Sequence, residues 1–150
     1  MHNKHILHTT LLAGLVAGVL DILAAILVNW LRFSLPPGRV LQSVASGLLG
    51  GEAYTGGAAT AIAGLLLHFA MMFVIAAIFV IAAQRLMLLR RQPLLAGVAY
   101  GVVVYAVMNF IVLPLSAFPH MVRYDLVALV IQIACVGLPI ALLTSSRRTA

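Results

Sequence analysis

Leu11-Leu-Ala-Gly-Leu-Val-Ala-Gly-Val-Leu-Asp-Ile-Leu-Ala-Ala-Ile-Leu-Val-Asn-Trp-Leu31 is an apolar run with one carboxylate, Asp21, at its middle. A helix crosses the hydrocarbon of a bilayer in about 20 residues, so the run is long enough to be a span. A carboxylate at that depth is costly unless it is paired, protonated or turned into a cavity. The stretch therefore decides the fold and also marks the residue most informative about function.

The same pattern recurs along the chain. Spans are expected at about residues 9–31, 59–83, 94–116 and 126–144, with Pro36-Pro37-Gly38, Gln92-Pro93 and Phe118-Pro119 in the gaps. The 150 residues are 64% hydrophobic and only 8% charged, where a soluble domain carries about a quarter charged residues. With a mean hydropathy of +1.17, lipid has to be the solvent. The expectation is a single all-α membrane domain over residues 1–150 with four transmembrane helices and one extra short interfacial helix. The basic start and apolar stretch look like a signal peptide, but Asp21 interrupts the stretch and it runs on to Leu31. A retained first span is expected.

Net charge is +6, yet the basic residues cluster at the ends of apolar runs, where they act as topology signals. Lys4, Arg85, Arg90, Arg91, Arg147 and Arg148 fall on one side. Arg32, Arg39 and Arg123 fall on the other, offset by Glu52 and Asp125. Positive charge stays inside, which predicts cytoplasmic termini. No basic patch interleaved with aromatics is present, so nucleic acid is not expected as a partner.

The first outer loop is too long for a turn. Pro37 suits a first helical position, and Val40, Leu41, Val44, Ala45 and Leu48 share a face opposite Arg39, Gln42, Ser43 and Ser46. That predicts a short amphipathic helix at the outer interface, acting as a spacer or as a lid.

Helical spacing also orders the small and polar residues. Gly14, Gly18, Asp21, Ala25 and Asn29 form one stripe, and Ala61, Gly64 and His68 a second. Gly97, Gly101, Tyr105 and Asn109 form a third, and Ala128, Gln132, Cys135 and Pro139 a fourth. Gly14, Gly18, Gly64, Gly97 and Gly101 are expected to let helices pack closely. At about 1.5 Å per residue, Asp21, His68, Asn109 and Gln132 lie roughly 10–16 Å from their outer span ends. The functional expectation is an outward-facing polar cavity with an Asp21–His68 pair at its base, serving ligand binding or a proton relay. The plainer expectation is an interhelical hydrogen bond of about 0.6–2 kcal/mol that holds register. A third is that Asp21 meets a partner subunit. A weak repeat relates Leu11–Gly18 to Leu94–Gly101, which would make two parallel hairpins.

Other chemistry finds little footing. His68 is the only histidine inside an expected span, so no haem or other cofactor is predicted, and no metal site. His2, His5 and His8 sit on a short tail expected to be solvated, and Cys135 reads as a small core residue. No protease motif is present, so enzymatic activity is not indicated.

Residues 65–119 resemble the YagU-like family of bacterial inner-membrane proteins. The resemblance lies in Leu67-His68-Phe69, in Ala76-Ala77, and in Leu94-Leu-Ala-Gly-Val-Ala-Tyr-Gly101. It continues through Asn109-Phe-Ile-Val-Leu-Pro-Leu-Ser116, with Leu12-Ala-Gly-Leu-Val-Ala-Gly18 similar in kind. It covers about half of the chain and implies a bacterial inner membrane and a multi-span helical fold, with no activity attached. The fourth span departs from the family in carrying Gln132 rather than a histidine.

The function expected is a small oligomeric transport or proton-coupled binding protein of the bacterial cytoplasmic membrane. The alternative is a structural or accessory subunit of a membrane complex. The expected partners are the lipid bilayer, a second copy in a homodimer, and other membrane subunits.

Overall fold

In hydrocarbon no water is present to satisfy a peptide group, so an apolar run must close its hydrogen bonds within itself as a helix. The computed structural model describes residues 2–119 and 125–146, with side chains from residue 4. All of its regular structure is helical, and there is no strand among the described residues. In chain order it contains α1 (His2–Phe33), α2 (Pro37–Leu49), α3 (Gly57–Arg85), α4 (Met87–Arg91), α5 (Pro93–Leu115) and α6 (Leu126–Ser146). A 3₁₀ turn, Gly50–Tyr54, leads from α2 into α3. Four of these helices, α1, α3, α5 and α6, are long and apolar enough to cross a membrane. The expected four-span helical fold is the one observed. Arg123, Arg147, Arg148 and the side chain of His2 lie outside the described residues.

Two local differences from expectation have clear causes. The first helix begins before the apolar run, so exposed His5 and His8 belong to α1 rather than to a separate tail. The basic gap after α3 is itself a short helix, α4, which carries Arg90 and Arg91.

The helices pair as α1 with α3 and α5 with α6, and α6 also lies against α1. Lipid supplies no hydrophobic drive between helices, so close packing has to hold them together. The glycines named from sequence stand at those contacts. A Cβ on Gly14 would meet Phe73, and one on Gly18 would meet Phe69. Gly97 and Gly101 lie against the backbone of α6 at Leu138 and Ile133. Gly137 completes the crossing from the other side: a Cβ there would overlap the Gly97 carbonyl and the Gly101 amide. The spacing in α5 announced its half of this contact, but Gly137 stands alone in α6 and gave no pattern to read.

The buried core lies in the half of the bundle nearest the termini. Ala13 and Ala17 of α1, Ala76, Phe79 and Ala83 of α3, Ala96 of α5, and Val136, Ile140 and Ala141 of α6 form it. There Tyr100 stacks on Phe79 with centroids 4.9 Å apart, and its hydroxyl donates to the Ile75 carbonyl at 2.6 Å. Tyr100 is the main bridge between α3 and α5, whose backbones otherwise stay apart. In the opposite half, small residues give way to polar ones and the helices separate.

Both α5 and α6 widen into a π turn, at Met108–Val112 and at Gln132–Gly137. Each ends with a bond from the residue just before a proline. Leu113 N–H reaches the Met108 carbonyl ahead of Pro114, and Leu138 N–H reaches Ile133 ahead of Pro139. A proline ring crowds the carbonyl four residues back and has no N–H to offer it. Widening the preceding turn moves that carbonyl aside, and such turns gather at functional sites.

The helix α2 corrects one expectation. Its inward residues are Val40, Gln42, Ala45 and Ser46, while Leu48 is 71% exposed. The face is rotated toward the small and polar side because α2 packs across α3 at Gly64, where a Cβ would overlap the Leu41 carbonyl. Gln42 Nε2 donates to the Gly57 carbonyl at 2.9 Å, and Ser46 Oγ donates to the Ser43 carbonyl at 2.7 Å. Both polar groups are thus satisfied where they are buried, and no large side chain blocks the approach.

Replacing Gly137 by alanine should force α5 and α6 apart and destabilise the bundle by about 1–3 kcal/mol, the usual cost of overpacking. Gly38, which has nothing within 4 Å of its would-be Cβ, should accept alanine without loss. Thermal unfolding of both variants in mild detergent makes the comparison; equal melting temperatures would refute the close crossing.

Candidate functional site

Asp21 is one turn beyond Gly18 on α1 and is half-buried where the four spans begin to separate. It lines a cavity of about 220 Å³ together with His68 of α3, Asn109 of α5 and Gln132 of α6. Tyr105, Met71, Met72 and Val44 complete much of the wall. One polar side chain from each span therefore faces a common space.

Each is held differently. His68 is 6% exposed, and its Nε2 donates to the Gly18 carbonyl at 2.9 Å. A carbonyl only accepts, so this bond places a proton on Nε2. The missing side chain at Gly18 gives the ring access to that carbonyl, and Phe69 meets the ring edge-on at 5.4 Å. Sequence reasoning paired His68 with Asp21. The two side chains line the same cavity and interact electrostatically, while the hydrogen bond of His68 goes to the Gly18 carbonyl.

Asn109 lies in the π turn of α5 and folds back on its own helix, Nδ2 donating to the Tyr105 carbonyl at 2.8 Å. Its Oδ1 is left as an acceptor. Gln132 opens the π turn of α6. Asn29, the last polar residue of the α1 stripe, donates to the Ala25 carbonyl at 2.8 Å.

A second cavity of about 220 Å³ continues from Asp21 and Gln132 toward the ends of α1 and α6, past Asn29 to Arg32 and Asp125. Arg32 and Asp125 form an ion pair that joins the two helix ends over this space. Asp125 is also the N-cap of α6, its Oδ1 accepting from Val127 N–H at 2.9 Å. That amide first, and the Arg32 guanidinium second, hold the Asp125 carboxyl below the usual carboxylate range. Tyr105 ties the same point to α5. Its hydroxyl accepts from Asp125 N–H at 3.0 Å and donates to the Asp125 carbonyl at 3.3 Å.

A third cavity of about 330 Å³ lies on the other side, among α2, α3 and α5. Its wall is largely apolar: Val44, Leu48, Leu67, Met71, Met108, Val112 and Leu113. Val44, Met71 and Met108 border the polar cavity as well, so the two spaces adjoin.

The sequence named Tyr105 only as part of a stripe, yet it both lines the cavity and anchors Asp125. Its place one turn before Asn109 was the available signal. The contribution of Val44 had no signal, since it depends on how α2 crosses α3. Among the described residues no cluster of three or more His, Cys, Asp or Glu side chains exists that could hold a metal ion.

The depressed titration of Asp125 has a definite sign. Its contribution to stability is fully present above the usual carboxylate range and disappears as pH falls through the lowered folded value. Unfolding measured across that acid range should show a loss for the wild type that is absent in both Asp125→Asn and Asp125→Ala, since neither replacement titrates there. A loss of equal size in all three proteins would show that the ion pair and cap carry no stability.

No family model, no curated protein and no solved structure matches this chain.

Proposed function

We propose that this chain is a small binding or transport protein of the bacterial cytoplasmic membrane, with the Asp21 cavity as its ligand site and Asp21 as the group that takes up and releases a proton. One observation carries this reading. Asp21 faces a cavity shared with His68, Asn109 and Gln132, and its carboxyl makes no hydrogen bond among the described residues. A polar contact kept only to hold register would give the carboxyl a partner on a neighbouring helix. This one has His68 as an electrostatic neighbour but no hydrogen bond, and it faces open volume that a ligand can enter.

The assignment of sides draws on the charges. Lys4, Arg85, Arg90 and Arg91 lie at the end of the bundle that carries the termini, which supports cytoplasmic termini by the positive-inside rule. The resemblance of residues 65–119 to the YagU-like family supports a bacterial inner membrane. With that orientation the polar cavity opens on the outer half of the protein.

The unmet carboxyl also suits contact with another subunit, the accessory reading. The glycine stripes no longer argue for it, because Gly14, Gly18, Gly97 and Gly101 already meet the chain's own helices. A homodimer would have to use other faces.

Asp21→Asn separates the two readings. Infrared difference spectra between acid and neutral pH should show a carboxyl band that vanishes in Asp21→Asn, with the melting temperature held within a few degrees. Native mass spectrometry should leave the oligomeric state unchanged by the substitution. A wild type with no such band, together with an assembly that falls apart in Asp21→Asn, would assign Asp21 to a subunit contact and end the binding reading.

A further inference from the structure

The polar chamber is weighted toward acceptors around a single carboxyl group. His68 has spent Nε2–H on the Gly18 carbonyl, so a neutral ring offers only the Nδ1 lone pair. Asn109 uses one amide N–H on the Tyr105 carbonyl and keeps its second N–H and Oδ1. The Tyr105 hydroxyl is occupied by Asp125, as both donor and acceptor. Asp21 offers two carboxyl oxygens, and Gln132 has an amide oxygen to present from the facing helix. These acceptors favour a guest that brings donors, and the carboxylate calls for positive charge. No Lys or Arg lines this chamber; Arg32 borders only the neighbouring space and is engaged by Asp125.

Size and surroundings narrow the class further. A water occupies about 30 Å³, so a chamber of about 220 Å³ is far larger than a single ion requires. Beside it, across the shared side chains Val44, Met71 and Met108, lies the larger apolar chamber. The one hydroxyl near its end whose bond is plain, Ser116 Oγ, is turned back onto the Leu113 carbonyl at 2.7 Å. Two methionines at the junction give a boundary that adapts to the shape of a guest. The α3–α5 separation leaves that junction unfilled by backbone.

We infer that the ligand is a cationic amphiphile, an alkylammonium-type molecule whose N–H-bearing head sits among Asp21, Asn109 and Gln132 and whose chain passes Met71 and Met108 into the apolar chamber between α2, α3 and α5. This rests on the binding reading above and names the class of ligand for the same cavity. An anion is disfavoured by Asp21, and a neutral sugar-like molecule brings no charge to the carboxyl and no apolar chain for the adjoining chamber. A small inorganic cation leaves most of both chambers empty.

The test is equilibrium binding of decylammonium to the full chain in lipid nanodiscs, with ethylammonium and decanoate as comparators and Asp21→Asn as the reference for partition into lipid. Saturable binding sensitive to Asp21→Asn is expected for decylammonium, about tenfold or more weaker in the variant, as loss of a charge-assisted hydrogen bond implies. Decanoate should show none. Val112→Phe, which fills the apolar chamber, should weaken decylammonium by a similar factor and leave ethylammonium unchanged. Gln132→Leu keeps the carboxyl and should give a smaller loss, which maintains the test should Asp21→Asn fail to fold. Ethylammonium binding as tightly as decylammonium would overturn the role of the apolar chamber. Decanoate binding as tightly would overturn the cationic head. If none of the three binds while the Asp21 carboxyl band still titrates, the amphiphile class fails and the binding reading survives; if the band is absent too, both fail.

Discussion

Backbone contact between α5 and α6 at Gly97, Gly101 and Gly137 is the constraint on which the rest of the bundle depends. Helices that touch at glycine bring α6 close enough to α1 for Val136, Ile140 and Ala141 to pack with Ala13 and Ala17. That closes the half nearest the termini. The prolines then act on the other half. Pro114 and Pro139 each follow a π turn, and those turns carry Asn109 and Gln132. A widened turn shifts the register of the side chains within it relative to an undisturbed helix, so the same residues that relieve the prolines also set the direction of the polar groups.

The open half would be poorly held without polar ties, since packing there is sparse. Arg32 with Asp125 joins α1 to α6, and Tyr105 joins α5 to the same point. Exposed ion pairs contribute little by themselves. Here the carboxylate also caps α6, so one residue marks where that helix begins and ties it to the end of α1 and to Tyr105 of α5. On the far side α2 does comparable work through Gly64 and through Gln42, whose amide reaches the Gly57 carbonyl. The backbone bond from Ala117 N–H to the Gly47 carbonyl at 2.9 Å links α2 to the segment that follows α5. The cavity is therefore framed by tethers near the helix ends rather than by side chains packed across its middle.

The spans were legible because length and hydropathy alone select them, and the bilayer leaves helix as the outcome. The stripes were legible for a related reason: small and polar residues recur at helical spacing, and lipid takes the rest. The rotation of α2 was misread because an amphipathic pattern names two faces without saying which one meets protein. In water the apolar face turns in, but beside lipid Gln42 and Ser46 turn in and Leu48 turns out. Gly137 was invisible because a close approach needs a partner surface that only the fold supplies. The bond from His68 to Gly18 went unread for a similar reason, since every residue has a carbonyl and sequence patterns record only side chains.

That bond also clarifies what kind of site this is. Had His68 been bound to Asp21, acid and base would have satisfied each other and the cavity would have held a closed pair. With the ring hydrogen-bonded to a backbone carbonyl, the carboxyl has no hydrogen bond within the described chain and only His68 as an electrostatic neighbour, a condition that hydrocarbon penalises. Three arrangements relieve the penalty: a proton on the carboxyl, a cation beside it, or water in the cavity. The cavity has room for the last two, and exchange among the three needs no rearrangement of the helices that hold it. On the binding reading proposed above, proton and cation would substitute for one another on a single carboxyl, and occupancy by one would be coupled to release of the other.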